Sequence, residues 1–319
     1  MLKPTLLKDM YISIKDRPSE DISNPIKNIN ILCSMLSPLN IYEEEFFYMI
    51  DPKVVFVDLD GTILKDYHEI HPENLKVLKE VNEKGIPVCI VTGRSYSRCK
   101  HFYEQLELNT PLCLFNGSYV FSPSDENYPN FVGGVEKETL IKFLKTITNL
   151  YTSVVCDLEE VMYVERFDKD DDISVVLEGN NVIEGSLEEL LPTNPYSVIL
   201  QAKDMESKAR IFEIVQSFPN LQVNTWNLKE YPLILEITYH KVNKGKAVKY
   251  ICKYLGYSIK DAICFGDGFN DRDMLIQSGW GVAMENAPLE IKIVANDVTL
   301  YKNVDGGVAR YLKDNLLNK

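Results

Sequence analysis

No apolar stretch in the chain approaches the ~18 residues that a bilayer-spanning helix needs. The opening segment, MLKPTLLKDMYISIKDRPSED, lacks the apolar core of a secretory leader, and its acids speak against a transit peptide. A cytoplasmic protein is therefore expected. Positive charge is scarce: 34 Lys and Arg stand against 47 Asp and Glu, for a formal net charge of -13. Nucleic acid and anionic membrane surfaces both call for compensating basic residues, so neither is an expected partner. A small anionic substrate is not excluded, because a bound cation and a few placed basic groups can set the local field against the global one. Paired cysteine motifs are missing too. The seven cysteines, Cys33, Cys89, Cys99, Cys113, Cys156, Cys252 and Cys264, are odd in number and form no Cys-x-x-Cys pair. Several lie in apolar runs, which reads as free thiols in a reducing compartment, with no disulfide framework and no zinc site. No internal repeat or low-complexity tract stands out.

What is present is ordinary for a globular protein: 45% hydrophobic and 25% charged residues over 319 positions, long enough for a large core and a second domain. Residues 1–52, with Pro4, Pro18, Pro25 and Pro38 spread through them, show no strong period and read as an N-terminal extension without chemistry. From Lys53 the pattern changes. Val54 to Asp58 is a short apolar run suited to a buried strand. Pro72 to Lys84 carries Leu75, Leu78 and Val81 at helical spacing, with Pro at the start and Gly85 just past the end. Val88–Thr92 and Leu112–Asn116 read as further buried strands around a helix over Ser95–Leu106. This alternation predicts a doubly wound parallel sheet of the α/β class. The same grammar returns near the end: a helix over Lys244–Leu255, a strand at Ala262–Gly266, a helix over Asp271–Ser278, short strands at Gly281–Met284 and Asp297–Leu300, and a helix over Val308–Leu316.

The stretch 132–239 reads differently. Helices are expected over Glu136–Leu150 and Lys203–Ser217. Strands are expected at Ser153–Cys156, Val161–Glu165, Ile173–Leu177, Ser197–Ala202, Gln222–Asn224 and Leu233–Thr238. Short strands in excess imply antiparallel pairing, hence an α+β cap inserted into a core made of 53–131 and 240–319. The acidic run Asp168, Asp170, Asp171, Asp172 begins like a calcium loop. It has Ile173 at the sixth position and Gly179 at the twelfth, where that loop needs Gly and Glu, so it reads as a solvated turn.

Candidate chemistry sits at the strand ends, where open α/β sheets bind ligands. Asp58-Leu-Asp60-Gly61-Thr62 follows the first buried strand. A carboxylate can attack phosphorus and divide one hard step into two, and a second carboxyl two residues on can act as acid and then base. Gly266-Asp267-Gly268-Phe269-Asn270-Asp271 follows another strand. Carboxylates converging on one spot repel unless a cation lies among them, and an all-oxygen set suits Mg²⁺. Thr92-Gly93-Arg94 offers a hydroxyl and backbone N–H groups to an anion at a helix start. Lys244 can offset charge on a phosphate, and if its side chain faces the cleft its removal costs little stability.

In their order and spacing, Asp58-x-Asp60-Gly-Thr, Thr92-Gly-Arg, Asn116-Gly117, Lys244-Gly245 and Gly-Asp267-Gly-x-Asn270-Asp271-x-x-Met-Leu resemble the motifs of the haloacid dehalogenase superfamily, in its Cof-type branch with a large C2-type cap. Gly281-Val-Ala-Met-x-Asn286-Ala287 and Asp305-Gly306-Gly307-Val308 fit that branch as well. The resemblance covers about 53–319 and implies a Mg²⁺-dependent phosphohydrolase acting on small phosphorylated metabolites, sugar phosphates foremost. It implies Asp58 as nucleophile and Asp60 as acid/base. Thr92, Gly93, Arg94, Lys244 and Asn270 would hold the phosphate. The metal would lie on Asp58, the Asp60 carbonyl and Asp267, with Asp271 in support. Trp280 stands where the branch often has a small residue. A phosphomutase of the phosphomannomutase type and a catalytically silent phosphate-binding or scaffolding protein are the alternatives, and the oligomeric state is left open.

Overall fold

The computed structural model describes residues 51–177, 180–225 and 231–318. The expected N-terminal extension lies, but for its last two residues, outside the described residues, as do Cys33 and Gly179. The chain opens with β1 (Val54–Val57), α1 (Pro72–Glu83), β2 (Val88–Ile90), α2 (Tyr96–Gln105) and the short strands β3 (Leu112–Leu114), β4 (Tyr119–Phe121) and β5 (Phe131–Val132). Then come α3 (Lys137–Thr146), β6 (Tyr151–Asp157), β7 (Met162–Glu165), β8 (Val182–Glu184), β9 (Ser197–Ala202), α4 (Met205–Val215), β10 (Leu221–Thr225) and β11 (Ile234–Tyr239). The chain closes with α5 (Lys244–Tyr254), β12 (Ala262–Gly266), α6 (Arg272–Gln277), β13 (Trp280–Ala283), β14 (Asp297–Val298) and α7 (Gly307–Leu312).

Five of these strands form a parallel sheet in the order β14-β13-β12-β1-β2. Every residue of β1 is fully buried, because both faces of the sheet are covered. That is why its sequence is unbroken Val and Phe rather than alternating. Val55, Val57, Ile90, Ile263 and Phe265 share one core with side chains of α1, α2 and α7. Phe56, Cys89, Cys264 and Ala283 share the other with side chains of α5 and α6. The expected doubly wound α/β core is present. At the β2 edge, Val91 bridges Cys113 in parallel and leads into the antiparallel sheet β3-β4-β5, whose last two strands sequence reading missed.

The inserted α+β unit is built on a six-stranded sheet, β10-β11-β9-β6-β7-β8. Pairing is antiparallel as expected, except that β8, which sequence reading did not anticipate, lies parallel to β7. Side chains alternate along each strand. Val154, Val198, Leu200, Leu235 and Ile237 point into a core shared with α3 and α4. The opposite face carries Ser153, Asp157, Ser197, Gln201 and Glu236 among Val155, Ile199 and Ile234. The expected strand Ile173–Leu177 is instead one helical turn, Ser174–Leu177. Ile173 and Val176 are buried while Val175 is exposed, a helical spacing that overrides the β-branched composition. The preceding acidic run is more than a solvated turn: Asp168 and Asp170 are exposed, but Asp171 accepts hydrogen bonds from the Thr152 and Ser153 hydroxyls.

Two segments join this unit to the core, and they run side by side. The Gly133 N–H donates to the Ser118 carbonyl at 2.7 Å, and a Cβ on Gly133 would lie 2.4 Å from Val242 Cγ1. The six described cysteines are buried free thiols, as expected.

Candidate active site

The carboxyl ends of β1 and β12 place two acidic loops together. Asp58 follows β1, and its N–H donates to Phe265 O at 3.1 Å. The chain then turns sharply through Leu59–Ile63, with Gly61 at φ +71. Glycine is needed there twice over: the conformation is left-handed, and a Cβ would fall 2.3 Å from Asp267 Oδ2. This close approach brings Thr62 Oγ1 to 3.2 Å from Asp267 Oδ1 and 3.5 Å from Asp58 Oδ2.

Lys244 opens α5. Asn243 caps that helix by accepting the Lys246 N–H at 2.8 Å, and its Nδ2 donates to Asp273 Oδ2 at 2.6 Å, which fixes where Lys244 begins. The Lys244 ammonium is wholly buried and donates at 2.6 Å to both Asp58 Oδ1 and Asp271 Oδ1. It does not face an open cleft, so the expected small stability cost of removing it does not apply. Asp271 spends its other oxygen inward, accepting the N–H groups of Asp267 at 2.9 Å and Gly268 at 2.8 Å. It therefore shapes the loop that carries Asp267.

The electrostatics follow from burial. Desolvation pushes Asp58 well above the usual carboxylate range; Lys244 opposes this, while Asp271, Asp267 and Asp60 add to it. Asp267 is pushed up to about 7, first by burial and then by Asp271. Burial works against the charged form of Lys244, but Asp271 and Asp58 outweigh it and the ammonium stays charged. Three carboxylates and one ammonium leave the buried site short of positive charge. Asp58, Asp267 and Asp271 offer ligand atoms within 4.8 Å of one another, the one such group among the described residues. An all-oxygen donor set with a charge deficit fits a hard divalent cation. Asp271 has no exposed surface, whereas Asp58 keeps 5% and Asp267 is half-buried, so it is these two that would offer oxygens to such an ion.

Asp60 lies apart from these three. Its carboxylate takes a two-pronged pair from Arg94, Nε to Oδ2 at 2.8 Å and Nη2 to Oδ1 at 2.5 Å, and Arg94 also donates to Tyr67 O at 2.8 Å. Arg94 thus lies against the expected acid rather than waiting free for an anion. Thr92 is buried and accepts the Arg94 N–H at 3.1 Å. Gly93 packs beside Asn116, whose Oδ1 would be 3.1 Å from a Cβ there. Asn270 is exposed and its Nδ2 donates to Asn116 Oδ1 at 2.9 Å. Asn286 Nδ2 reaches Gly61 O at 2.8 Å and Asp267 Oδ2 at 3.3 Å. Trp280 donates to the Tyr311 hydroxyl at 2.8 Å and that hydroxyl to Asp297, a bracket across β13, α7 and β14.

Sequence reading quoted Thr62, Asn116 and Asn286 without giving them a role, and it missed Glu236. The one signal for Glu236 is an acid inside the apolar run Ile-Leu-Glu-Ile of β11.

A family model described as haloacid dehalogenase-like hydrolase matches residues 55–312. The chain belongs to that family. It is 31% identical over 266 residues to the 5-amino-6-(5-phospho-D-ribitylamino)uracil phosphatase YitU of Bacillus subtilis, covering 82% of this chain and 97% of the relative. It is 28% identical over 284 residues to the pyridoxal phosphate phosphatase YbhA of Escherichia coli, covering 83% and 99%. Among solved structures, the phosphatase BT1666 of Bacteroides thetaiotaomicron superposes with a TM-score of 0.70 at 21% identity, over 86% of this chain and 98% of that one. The sugar phosphatase BT4131, of subclass IIB, gives 0.67 at 22% identity over 82% and 98%. These likenesses establish the hydrolase core with its inserted cap.

Proposed function

We propose that the protein is a Mg²⁺-dependent phosphatase of small phosphorylated metabolites, working through an aspartyl-phosphate on Asp58. It is a phosphoric monoester hydrolase of the same kind as its curated relatives, which are phosphatases. The observation that carries the reading is the buried ammonium of Lys244, held at 2.6 Å between Asp58 and Asp271 where two parallel strands end. A fixed positive charge against a carboxylate beside a charge-deficient acidic pocket is an arrangement for phosphoryl transfer, where positioning and charge neutralisation supply most of the catalysis.

In this reading a carboxylate oxygen of Asp58 forms a bond to phosphorus as the bond to the leaving oxygen breaks. Asp60 gives that oxygen a proton, then takes one from the water that hydrolyses the aspartyl-phosphate. Lys244 offsets charge on both the nucleophile and the phosphoryl group, and Thr92, Gly93 and Asn270 line its far side. Both oxygens of Asp60 accept from Arg94, so the acid step requires Arg94 to release one of them. Asp58 and Asp267 would hold Mg²⁺, with Asp271 behind; the ion would screen the phosphate oxygens and favour ionised Asp58.

We assign substrate selection to the inserted unit, about 132–239. The core groups act at phosphorus and at the bridging oxygen and take no account of the shape of the leaving group beyond it. A roof excludes water and macromolecules, and the polar face of the six-stranded sheet suits a hydroxyl-rich leaving group, with sugar phosphates foremost. Turnover of sugar phosphates, nucleotides and a phosphopeptide, with and without Mg²⁺ and in Asp58→Asn, tests this. Expected are Mg²⁺-dependent turnover of the small esters, little of the phosphopeptide, and near-complete loss in the variant. More than a few per cent residual activity in Asp58→Asn would place the nucleophile elsewhere, and a phosphopeptide as good as a hexose phosphate would refute the roofed site.

A further inference from the structure

One hydrogen-bonded chain runs from the cap sheet into the catalytic loops. Glu236 lies mid-strand in β11, facing away from the core shared with α3 and α4. Its two oxygens accept from Asn116 Nδ2 at 3.2 and 3.1 Å, and Oε1 also accepts from Ser197 Oγ at 3.2 Å. Asn116 Oδ1 in turn accepts from Asn270 Nδ2 at 2.9 Å. Asn116 is tightly placed. It adopts a left-handed φ of +55, its N–H donates to Thr92 O at 3.1 Å, and its amide lies against Gly93. The next residue, Gly117, approaches the Asn243 carbonyl so closely that a Cβ would lie 2.6 Å away. A single tight turn thus touches the loops of Thr92, Lys244 and Asn270, and the cap reaches it through Glu236.

The chain has a direction. An ionised carboxylate only accepts, so Asn116 must turn its NH₂ toward Glu236 and its oxygen toward Asn270. Asn270 must then donate, which leaves the second N–H on the same nitrogen for another acceptor. An amide on its own has no such preference, because its two ends are nearly the same in shape. Glu236 is the one member of the chain that cannot be reversed.

We infer that Glu236 is a positioning residue for the phosphoryl site: as the acceptor-only end of the chain Glu236–Asn116–Asn270, it fixes the Asn270 amide with its second N–H available to a phosphate oxygen. This rests on the phosphatase reading, and it gives the cap a part in the core chemistry beyond choosing the leaving group. Burial holds the Glu236 carboxyl above its usual range, and the bonds from Asn116 and Ser197, with the Lys244 charge, oppose that shift and favour the acceptor form.

The test exchanges the polarity of the chain while keeping its shape. In Glu236→Gln the end residue becomes an amide, and the Asn116 and Asn270 amides lose their fixed sense. The expected result is a fall in kcat/KM of about 10–100-fold, the scale on which partners behind a site act, with weaker inhibition by inorganic phosphate and little change in the unfolding midpoint. Asn116→Asp alone sets two carboxylates in contact and should be the worst variant. The double variant Glu236→Gln with Asn116→Asp restores an acceptor-only residue opposite Asn270 at unchanged net charge, and should recover activity several-fold over either single variant. Wild-type kinetics in Glu236→Gln, or a double variant no better than the worse single one, would overturn the inference. An unaltered protein that hydrolyses no phosphate monoester would overturn the phosphatase reading itself, so the two failures are distinct.

Discussion

Replacing Lys244 with Met removes one charge and keeps much of the volume, so it isolates what the ammonium contributes. Lys244 has no exposed surface, and its two partners are buried with it. Removing one member of a buried ion pair typically costs ~3–5 kcal/mol, because the remaining charges are left desolvated and uncompensated. Here three carboxylates would be left with no opposing charge among them. The magnesium-free variant should lose stability on that scale, a drop in the midpoint of thermal unfolding on the order of 10 °C at ~2–4 °C per kcal/mol. Saturating Mg²⁺ binds only the folded state and should return part of it, ~2.7 kcal/mol at a hundred times its dissociation constant. Turnover should fall by ~10²–10³ even with the metal present, as it does when a positioned charge is taken from a transition state. Differential scanning calorimetry with and without Mg²⁺, alongside steady-state kinetics, reads all three quantities. A variant as stable as the unaltered protein in chelator, or one that turns over at the wild-type rate, would mean that Lys244 neutralises nothing of consequence.

Asp60→Asn should slow turnover by ~10²–10⁴, with the smaller losses for aryl phosphates, whose leaving groups need no proton; equal losses for sugar and aryl phosphates would contradict the acid role. Asp157, buried on the polar face of the cap sheet, is pushed up to about 6 by burial, against the bond it accepts from the Glu159 N–H and the nearby Arg98. The folded state therefore holds this proton more tightly than the unfolded chain, and Asp157 costs stability as pH rises from about 4 through about 6. Asp157→Asn should be more stable than the unaltered protein at pH 7, by up to ~3 kcal/mol at ~1.4 kcal/mol per pH unit, and the advantage should vanish near pH 4. Urea unfolding at the two pH values measures it, and an unchanged difference would show that Asp157 does not titrate in that window.

The parallel core and its acidic loops were legible because their physics is local. A strand covered on both faces must be uniformly apolar, and β1 and β12 are. The sharp turn after Asp58 needs a residue free of Cβ, and Gly61 supplies it. What escaped sequence reading depends on partners far along the chain. The turn at Ser174–Leu177 has the composition of a strand and is helical because Ile173 and Val176 both pack with Val155, Ile199 and Ile234 on the sheet face opposite the core of α3 and α4. The exposed strand β8 is defined only by its pairing with β7. The motif Thr92-Gly93-Arg94 was visible, but the grip of Arg94 on Asp60 spans 34 positions and follows from no local pattern. Glu236 looked like one polar residue in a strand until Asn116, 120 positions away, was found beneath it.

The pairing of β1 with β12 also governs how the polypeptide acquires its shape. Val54 aligns with Ala262, so β1 waits through roughly two hundred residues for its neighbour β12. During synthesis the ribosome must extrude the whole six-stranded insert before the sheet can close. Until then β1 can pair with β2 alone, and its other edge, a row of unpaired N–H and C=O groups on a wholly apolar strand, stays open to any passing strand. Closing so long a loop is slow, so the insert, three of whose five strand pairings join strands consecutive in the chain, has time to form first and to bring its two ends together. Gly133 lying against Val242 is where those ends meet. In a nascent chain the insert therefore acts as a clamp that shortens the distance the last strand must find, and a lesion in it will surface as misassembly of a sheet to which it contributes no strand.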